Sequence, residues 1–455
     1  MADKAPLNNL TIGNLSENIW RISWPMFLTM VFSFFVGFTD VFVAGFIGPE
    51  VQAAVGFVSL FYFLITIVAN AISIGTLALV SRAVGSGDQK RALEIARQSL
   101  LFSVAVAAGV TCGCFIFYRE IIAFAGFPAG TREMAERFLR IFALSLGPNY
   151  ILIISNAVFR ASGEVKKPLL TMFIVGLINV AGDFVLVFGL FPFPAMGYVG
   201  IAVSTAASIT AGMAINLWLF TVGWWRSLYA RPWTVSADTV LKIVRLGWPA
   251  AMLQIAWNAG TIVLYNILGR LGPASIPALA SITNGLRIEA VIYLPAFALN
   301  MAAAVLVGQN LGAGRPDRAA QAGWRIAKFG VLLISLMAVP IFIWAEQFAW
   351  LLTKDHAVLA ETARYLRFNM LSEPFMALST ILGGGLQGAG DTRGTMWVII
   401  AAMWFIRLPL AYYLALAAGY GATGVWIAMI ASMAFQGMLM TWRFQRGHWE
   451  KLTVD

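Results

Sequence analysis

Two aspartates, Asp40 and Asp183, each lie inside an apolar stretch long enough to cross a bilayer, with no basic residue close by in the sequence. A carboxylate in hydrocarbon costs at least about 2.5 kcal/mol on insertion scales, and it is retained where it faces a polar cavity and exchanges a proton or holds a cation. Neighbours at helical spacing enlarge the set. On the first span Ser33, Gly37, Asp40 and Ala44 form one small, partly polar stripe, and on the fifth Gly176, Asn179 and Asp183 do the same. Asn179 and Asp183, four residues apart, stack on one face. Thr205, from the Ser204-Thr205 pair of the sixth span, adds a hydroxyl. Two carboxylates, an amide oxygen and a hydroxyl are hard oxygen ligands for a small cation such as Na⁺. Two carboxyls brought together also form a place to hold H⁺. A cation or proton site at Asp40, Asn179, Asp183 and Thr205 is the expectation. For Asn179 and Thr205 the alternative, that they only tie helices together, stays open.

Other charges point elsewhere. Arg287 and Glu289 are placed near the start of the eighth span, two residues apart and so facing apart. Glu373 precedes Pro374 in the tenth span, and Arg407 lies midway along the eleventh. A buried guanidinium requires a partner, and Glu373 or Glu289 is the one expected for Arg407. Structural pairing is favoured there, with Glu289, Glu373 and Arg407 kept as secondary cleft candidates. Asp391 and its counterpart Glu164 read as caps in turns. Nothing resembles a nucleophile with a positioned base, so no enzyme is expected. Cys112 and Cys114 fall on different faces of one helix. With only His356 and His448 a histidine metal site is not expected either, and no cofactor is implied beyond the coupling H⁺ or Na⁺.

These residues must be positioned by membrane helices. Of 455 residues 60% are hydrophobic and 11% charged, with a mean hydropathy of +0.80. Soluble chains carry roughly 25% charged residues. Apolar stretches of spanning length, about 20 residues, recur twelve times: near 22–46, 52–80, 98–118, 138–159, 168–191, 197–224, 246–268, 275–307, 329–345, 366–386, 395–418 and 422–442. The long eighth is expected to open with a loop or interfacial turn. The net charge of +10 is not that of a nucleic-acid binder, because it is segregated. With the N-terminus cytoplasmic, 21 of the 31 Lys and Arg fall in cytoplasmic joints and 8 in the opposite ones. That asymmetry places both termini in the cytoplasm. The polar first twenty residues lack the pattern of a signal peptide.

The chain is also a duplication. Arg21-Ile-Ser-Trp-Pro25 answers Arg245-Leu-Gly-Trp-Pro249, and Gly45, Gly48 and Pro49 answer Gly269, Gly272 and Pro273. Gly85-Ser86-Gly87 answers Gly312-Ala313-Gly314; Ala161-Ser-Gly-Glu164 answers Gly388-Ala-Gly-Asp391; Gly200 answers Gly424. Six spans per copy preserve orientation, giving parallel repeats. The predicted architecture is an all-α integral membrane protein, twelve transmembrane helices in two pseudo-symmetric six-helix lobes around a central cleft. Its parts are an N-terminal segment (1–20), an N-lobe (21–225), a basic linker with Pro232 (226–245), a C-lobe (246–442) and a tail (443–455). Asp40 aligns with Leu264 and Asp183 with Leu410. A purely structural need would recur in both copies, so the asymmetry favours a specialised site in one. Pro25, Pro148, Pro249, Pro295 and Pro374 are candidate kinks. The 33 Phe, 18 Met and 16 Trp suit a cleft that repacks around aromatic cations.

The chain resembles the multidrug and toxic compound extrusion transporters over nearly its whole length. The segments that carry the likeness are Asp40-Val-Phe-Val-Ala-Gly-Phe-Ile-Gly-Pro49 with Ala53-Ala-Val-Gly56, Ser81-Arg-Ala-Val-Gly-Ser-Gly87, Asn179-Val-Ala-Gly-Asp183, Arg287-Ile-Glu289 with Pro295, Val307-Gly-Gln-Asn-Leu-Gly-Ala-Gly314 and Gly388-Ala-Gly-Asp-Thr-Arg393. The branch named for DNA-damage-inducible members is the most similar. The resemblance implies alternating access and export of drug-like, often cationic or amphipathic compounds in exchange for H⁺ or Na⁺. It implies an N-lobe cation site at Asp40, Asn179, Asp183 and Thr205, and in some relatives a further acid in the seventh or tenth helix. Here the seventh has none, leaving Glu373 of the tenth. A monomer in the inner membrane of a prokaryote follows. The competing function is a flippase for lipid-linked saccharides on the same general fold. It should line its cleft with several basic residues, and only Arg407 is a mid-helix base.

Overall fold

The computed structural model describes residues 10–190, 193–230 and 233–452; Pro232 and the first polar residues, Asp3 to Asn9, lie outside them. Among the described residues every regular element is helical. The elements α1 (Leu15–Ile47), α2 (Pro49–Gly85), α3 (Gln89–Phe124), α4 (Ala129–Ala161), α5 (Lys166–Phe188) and α6 (Tyr198–Leu219) make the first six spans. After them come α7 (Ala237–Gly269), α8 (Ser275–Gly312), α9 (Pro316–Ile343), the short α10 (Ala345–Leu352) and α11 (His356–Gly388). The next span is broken into α12 (Thr392–Ile400) and α13 (Leu408–Tyr412) by π-helical turns at Ala401–Arg407 and Tyr413–Ala417, and α14 (Gly421–Gln445) closes the series. Pro409 cannot donate a backbone bond, and wider turns flank it.

Eleven of these spans are long and apolar enough to cross a bilayer. The twelfth, α11, has 33 residues, and Asn369, Glu373, Pro374 and the glycines Gly383, Gly384 and Gly385 lower the hydropathy of its apolar part. Each of the twelve expected stretches therefore corresponds to one spanning element in a multi-pass membrane protein, although 168–191 overruns α5, which ends at Phe188, and 197–224 overruns α6, which ends at Leu219. One expectation is corrected. A 3₁₀ turn, Gly272–Ala274, precedes α8, which runs unbroken for 38 residues. Gly272 takes the turn with φ +61°, so no loop intrudes after Ser275, and Arg287 and Glu289 fall well inside the helix.

The chain divides into two units, Leu28–Gly247 and a second that joins Leu10–Phe27 to the chain from Trp248 onward. In the second unit Arg315 Nη1 donates to the Thr11 carbonyl at 2.7 Å and Arg318 Nη2 to the Gly13 carbonyl at 2.9 Å. These bonds tie the start of the chain to the α8–α9 turn.

The duplication reappears in the backbone. Gly87 and Gly314, and likewise Gly163 and Gly390, all adopt positive φ. In each case the following residue returns its N–H to a carbonyl five residues earlier: Asp88 to Ala83, Arg315 to Asn310, Glu164 to Phe159 and Asp391 to Leu386. This is the glycine-terminated helix end that spares the last carbonyls from being orphaned. Close approaches repeat as well. A Cβ on Gly200 would lie 2.8 Å from the Leu186 carbonyl carbon, and one on its counterpart Gly424 would lie 2.7 Å from that of Leu414.

Candidate cation site

The N-terminal unit assembles the site from α1, α5 and α6. The connection from α5 to α6 is short, and α5 ends on Gly189 at φ +72°. The two helices therefore run back antiparallel and close together. Gly182 permits it: a Cβ there would lie 2.5 Å from Ser204 Oγ. That contact sets Asn179 and Asp183 against Ser204 and Thr205. Asp40 enters from α1, 4% exposed, with Ala44 buried one turn on. The predicted α1 stripe holds only in this upper part. Ser33 and Gly37 are exposed, and Val36 is the residue one turn below Asp40 that packs inward.

Asn179 Nδ2 donates to Asp40 Oδ1 at 3.1 Å and to Thr205 Oγ1 at 3.1 Å. The Thr205 hydroxyl lies 3.1 and 3.0 Å from the two Asp40 oxygens, to which it donates. Asp40 is thus held by an amide and a hydroxyl. Asp183, fully buried, lies within hydrogen-bonding reach of the Asp40 carboxyl. Ser204 is also near it, but the Ser204 proton is committed to the Asn179 carbonyl at 2.8 Å. Both Asp183 oxygens and Asn179 Oδ1 are left buried without a donor among the described residues. An unmet buried acceptor costs about 1–3 kcal/mol, more when charged. Orphan oxygens on two residues beside a second carboxyl fit a positive guest: a proton on one carboxyl, or a small cation ligated by hard oxygens. All four predicted residues are brought together.

The MatE family model matches residues 25–185 and again 249–413, one copy in each half and well over half of the chain in total. The chain belongs to the MatE family. It is similar to a protein named probable multidrug resistance protein NorM from Thermotoga maritima, 24% identical over 97% of this chain and 95% of the relative. A second of that name, from Bradyrhizobium diazoefficiens, is 27% identical over 92% and 91%. Among solved structures it is similar to a MOP superfamily transporter from Pyrococcus furiosus, at 21% identity with a TM-score of 0.88 over 98% of each chain. At that identity the likeness shows the fold.

The other half of this MatE chain buries its acids differently. Glu289 and Glu373 are each 1% exposed and Arg407 is 3%, whereas Arg287 is exposed. Glu289 Oε1 accepts from Asn369 Nδ2, and Oε2 from the Tyr293 hydroxyl at 3.3 Å. The Tyr365 hydroxyl also reaches it. The expected Arg407 ion pair is not formed with either acid among the described residues. Arg407 Nε donates to Ser432 Oγ at 2.8 Å, and its guanidinium lies 4.9 Å from the centroid of the Trp257 ring. Both Glu289 oxygens already have donors on α8 and α11, so the guanidinium takes a hydroxyl and an indole face instead. Glu373 Oε2 has no hydrogen-bond partner among the described residues.

Sequence reasoning missed Asn369, Tyr293, Tyr365, Ser432 and Trp257. One signal was present, since Asn369 precedes Glu373 by four residues as Asn179 precedes Asp183. The capping expectation divides. Asp391 caps α12 through Gly394 N at 3.2 Å and pairs with Arg443 at 2.6 Å. Glu164 is no cap. Its longer arm turns away to accept from Trp225 Nε1 at 2.5 Å and to pair with Lys167 at 3.0 Å. Cys112 is exposed and Cys114 buried, on separate faces of α3.

Proposed function

We propose that this MatE chain is an antiporter that exports drug-like, often cationic or amphipathic organic compounds in exchange for H⁺ or Na⁺, with Asp40, Asn179, Asp183 and Thr205 as the cation site. The observation that carries the reading is the pair of donor-less Asp183 oxygens buried against Asp40. Asn179 and Thr205 orient Asp40; Asp183 supplies the acceptor that a proton or cation completes. The names of the NorM relatives support the substrate class. The segregation of Lys and Arg supports cytoplasmic termini; on this reading the chain sits in the inner membrane of a prokaryote, with lobes 21–225 and 246–442 joined by the 226–245 linker and alternating their access. Occupancy of the site by a cation neutralises the acid pair, changes the packing of α1, α5 and α6, and lowers substrate affinity. Exchange follows when cation and substrate favour opposite conformations.

The test is dye efflux from proteoliposomes under a pH gradient alone and under a Na⁺ gradient alone. One gradient should drive efflux by the unmodified protein, and neither should drive it in Asp40→Asn or Asp183→Asn protein that inserts normally. Gradient-driven efflux at the unmodified rate in both variants overturns the reading. Scrambling of a lipid-linked saccharide in the same vesicles, without dye efflux, would establish the flippase in its place.

A further inference from the structure

The cation site sits at one end of a longer column inside the N-terminal unit. On α5, Thr171, Val175, Asn179 and Asp183 stand four residues apart; on α6, Ser204, Ser208, Gly212 and Asn216 do the same. All these side chains are buried, none more than 1% exposed, and Gly212 is buried among them. Because the helices are antiparallel, the two series form rungs. Asn179 bonds Thr205 and accepts from Ser204 through its carbonyl. Two turns lower, Thr171 Oγ1 donates to Asn216 Oδ1 at 2.7 Å. Asn216 Nδ2 donates in turn to Ser155 Oγ at 2.7 Å and Asn156 Oδ1 at 2.8 Å on α4. The column covers about 18 Å at 1.5 Å per residue from Asp183 to Thr171.

Between the polar rungs lies a single apolar one. Val175, Leu152 and Ile209 form a buried cluster with Val36 and Met172 against it. Gly212 lets Val175 sit directly on the α6 backbone. A Cβ at 212 would lie 2.5 Å from Val175 Cγ2 and 3.3 Å from both Leu152 methyls, so this layer has no room for water. On α4 the same face continues from Leu152 through Asn156 to Arg160, four residues apart each time. Arg160 is 8% exposed, with Nε unpartnered and no ion pair among the described residues. Ties between helices would account for the polar rungs. They do not account for an arginine at the end of the column that is 8% exposed, buries its Nε without a partner and makes no ion pair among the described residues.

We propose that the layer of Val175, Gly212, Leu152 and Ile209 is a coupling seal. It separates a cation held at Asp40 and Asp183 from the Thr171–Asn216–Ser155–Asn156 cluster, and so prevents passage through the N-terminal unit without substrate. Dry apolar constrictions and fixed positive charge are both established barriers to ions and protons; here Arg160 adds the second at the end that the proposed orientation makes cytoplasmic. The seal rests on the reading of Asp40 and Asp183 as the cation site.

The test uses the full-length protein in proteoliposomes without organic substrate, following internal pH and ²²Na⁺. Val175→Thr keeps the side-chain shape and places a hydroxyl in line with Asn179 and Thr171. Substrate-free dissipation of the driving gradient should rise about tenfold, equivalent to about 1.4 kcal/mol off the barrier, while Val175→Ile leaves it unchanged. Should Val175→Thr not elute as a monodisperse protein, Ile209→Thr opens the same layer and carries the same expectation. Dissipation at the unmodified rate in a well-folded polar variant overturns the seal. In the double variant Val175→Thr, Asp183→Asn the leak should disappear, and a leak that persists there overturns the link between seal and site. Normal export by Asp183→Asn alone would instead defeat the cation-site reading.

Discussion

In the N-terminal unit, Asp40 is held by Asn179 and Thr205 while Asp183 beside it receives no donor. In the C-terminal unit, Glu289 receives Asn369 and Tyr293, with Arg407 in electrostatic reach. The two units share their helix ends and close contacts: Gly87 with Gly314, Gly163 with Gly390, Gly200 with Gly424. What the duplication copied is the positioning of helices. What it did not copy is the balance of donors and acceptors around the buried acids. An acid left short of donors is poised to take up a cation, whereas one that is fully served contributes mainly to the rigidity of its surroundings. Glu373, with one unpartnered oxygen, stands between these cases.

The largest effect should separate the units outright. Asp183→Asn is expected to reduce gradient-driven efflux to the level of empty liposomes, and Glu373→Gln to retain a measurable fraction. Complete loss in Glu373→Gln protein of normal stability would move coupling into the second unit. Next, the two asparagines should fail differently. Asn179→Ala removes the donor shared by Asp40 and Thr205, and export should fall about tenfold, which corresponds to about 1.4 kcal/mol. Asn369→Ala strips a donor from Glu289 and should cost about 1–3 kcal/mol of stability, read as a lowered melting temperature, with export kept.

Smaller effects probe what is shared. Gly200→Ala and Gly424→Ala both press a methyl into the preceding helix backbone. They should lower the melting temperature by similar amounts, for about 1–3 kcal/mol each; a large difference between them would mean that the two contacts are not equivalent. The smallest contrast is at the turns. Asp391→Ala loses a cap worth about 0.5–2 kcal/mol, together with its Arg443 partner. Glu164→Ala loses a partly exposed ion pair worth at most about 1 kcal/mol and strands the indole N–H of the buried Trp225, about 1–3 kcal/mol, so thermal denaturation should show two losses of similar size.

Sequence reasoning reached the fold because each span carries its own length and hydropathy, and because repeated glycines mark repeated turns. It reached the four N-terminal residues through charge set inside apolar spans, through helical spacing, since Asn179 and Asp183 share a face wherever α5 packs, and through the family resemblance. It could not reach the partners of Arg407. Those depend on which face of α8 meets α11, on a π-helical turn that ends at Arg407, and on Trp257 from a third helix. Nor could it give the lower limit of the α1 stripe, where Ser33 and Gly37 turn outward although their spacing from Asp40 is helical. The Glu164 exception has the same origin: one extra methylene and a nearby indole redirect a side chain whose counterpart Asp391 caps its own helix.

The most direct test of the central claim is a linkage measurement on purified protein. Substrate affinity is titrated by tryptophan fluorescence at a series of H⁺ concentrations and, separately, of Na⁺ concentrations. A shared coupling requires reciprocal effects on binding. In the unmodified protein raising one of the two cations should weaken substrate binding. In Asp40→Asn and in Asp183→Asn the affinity should no longer respond, while Glu289→Gln should respond as the unmodified protein does. A cation dependence that survives intact in both aspartate variants would contradict the account.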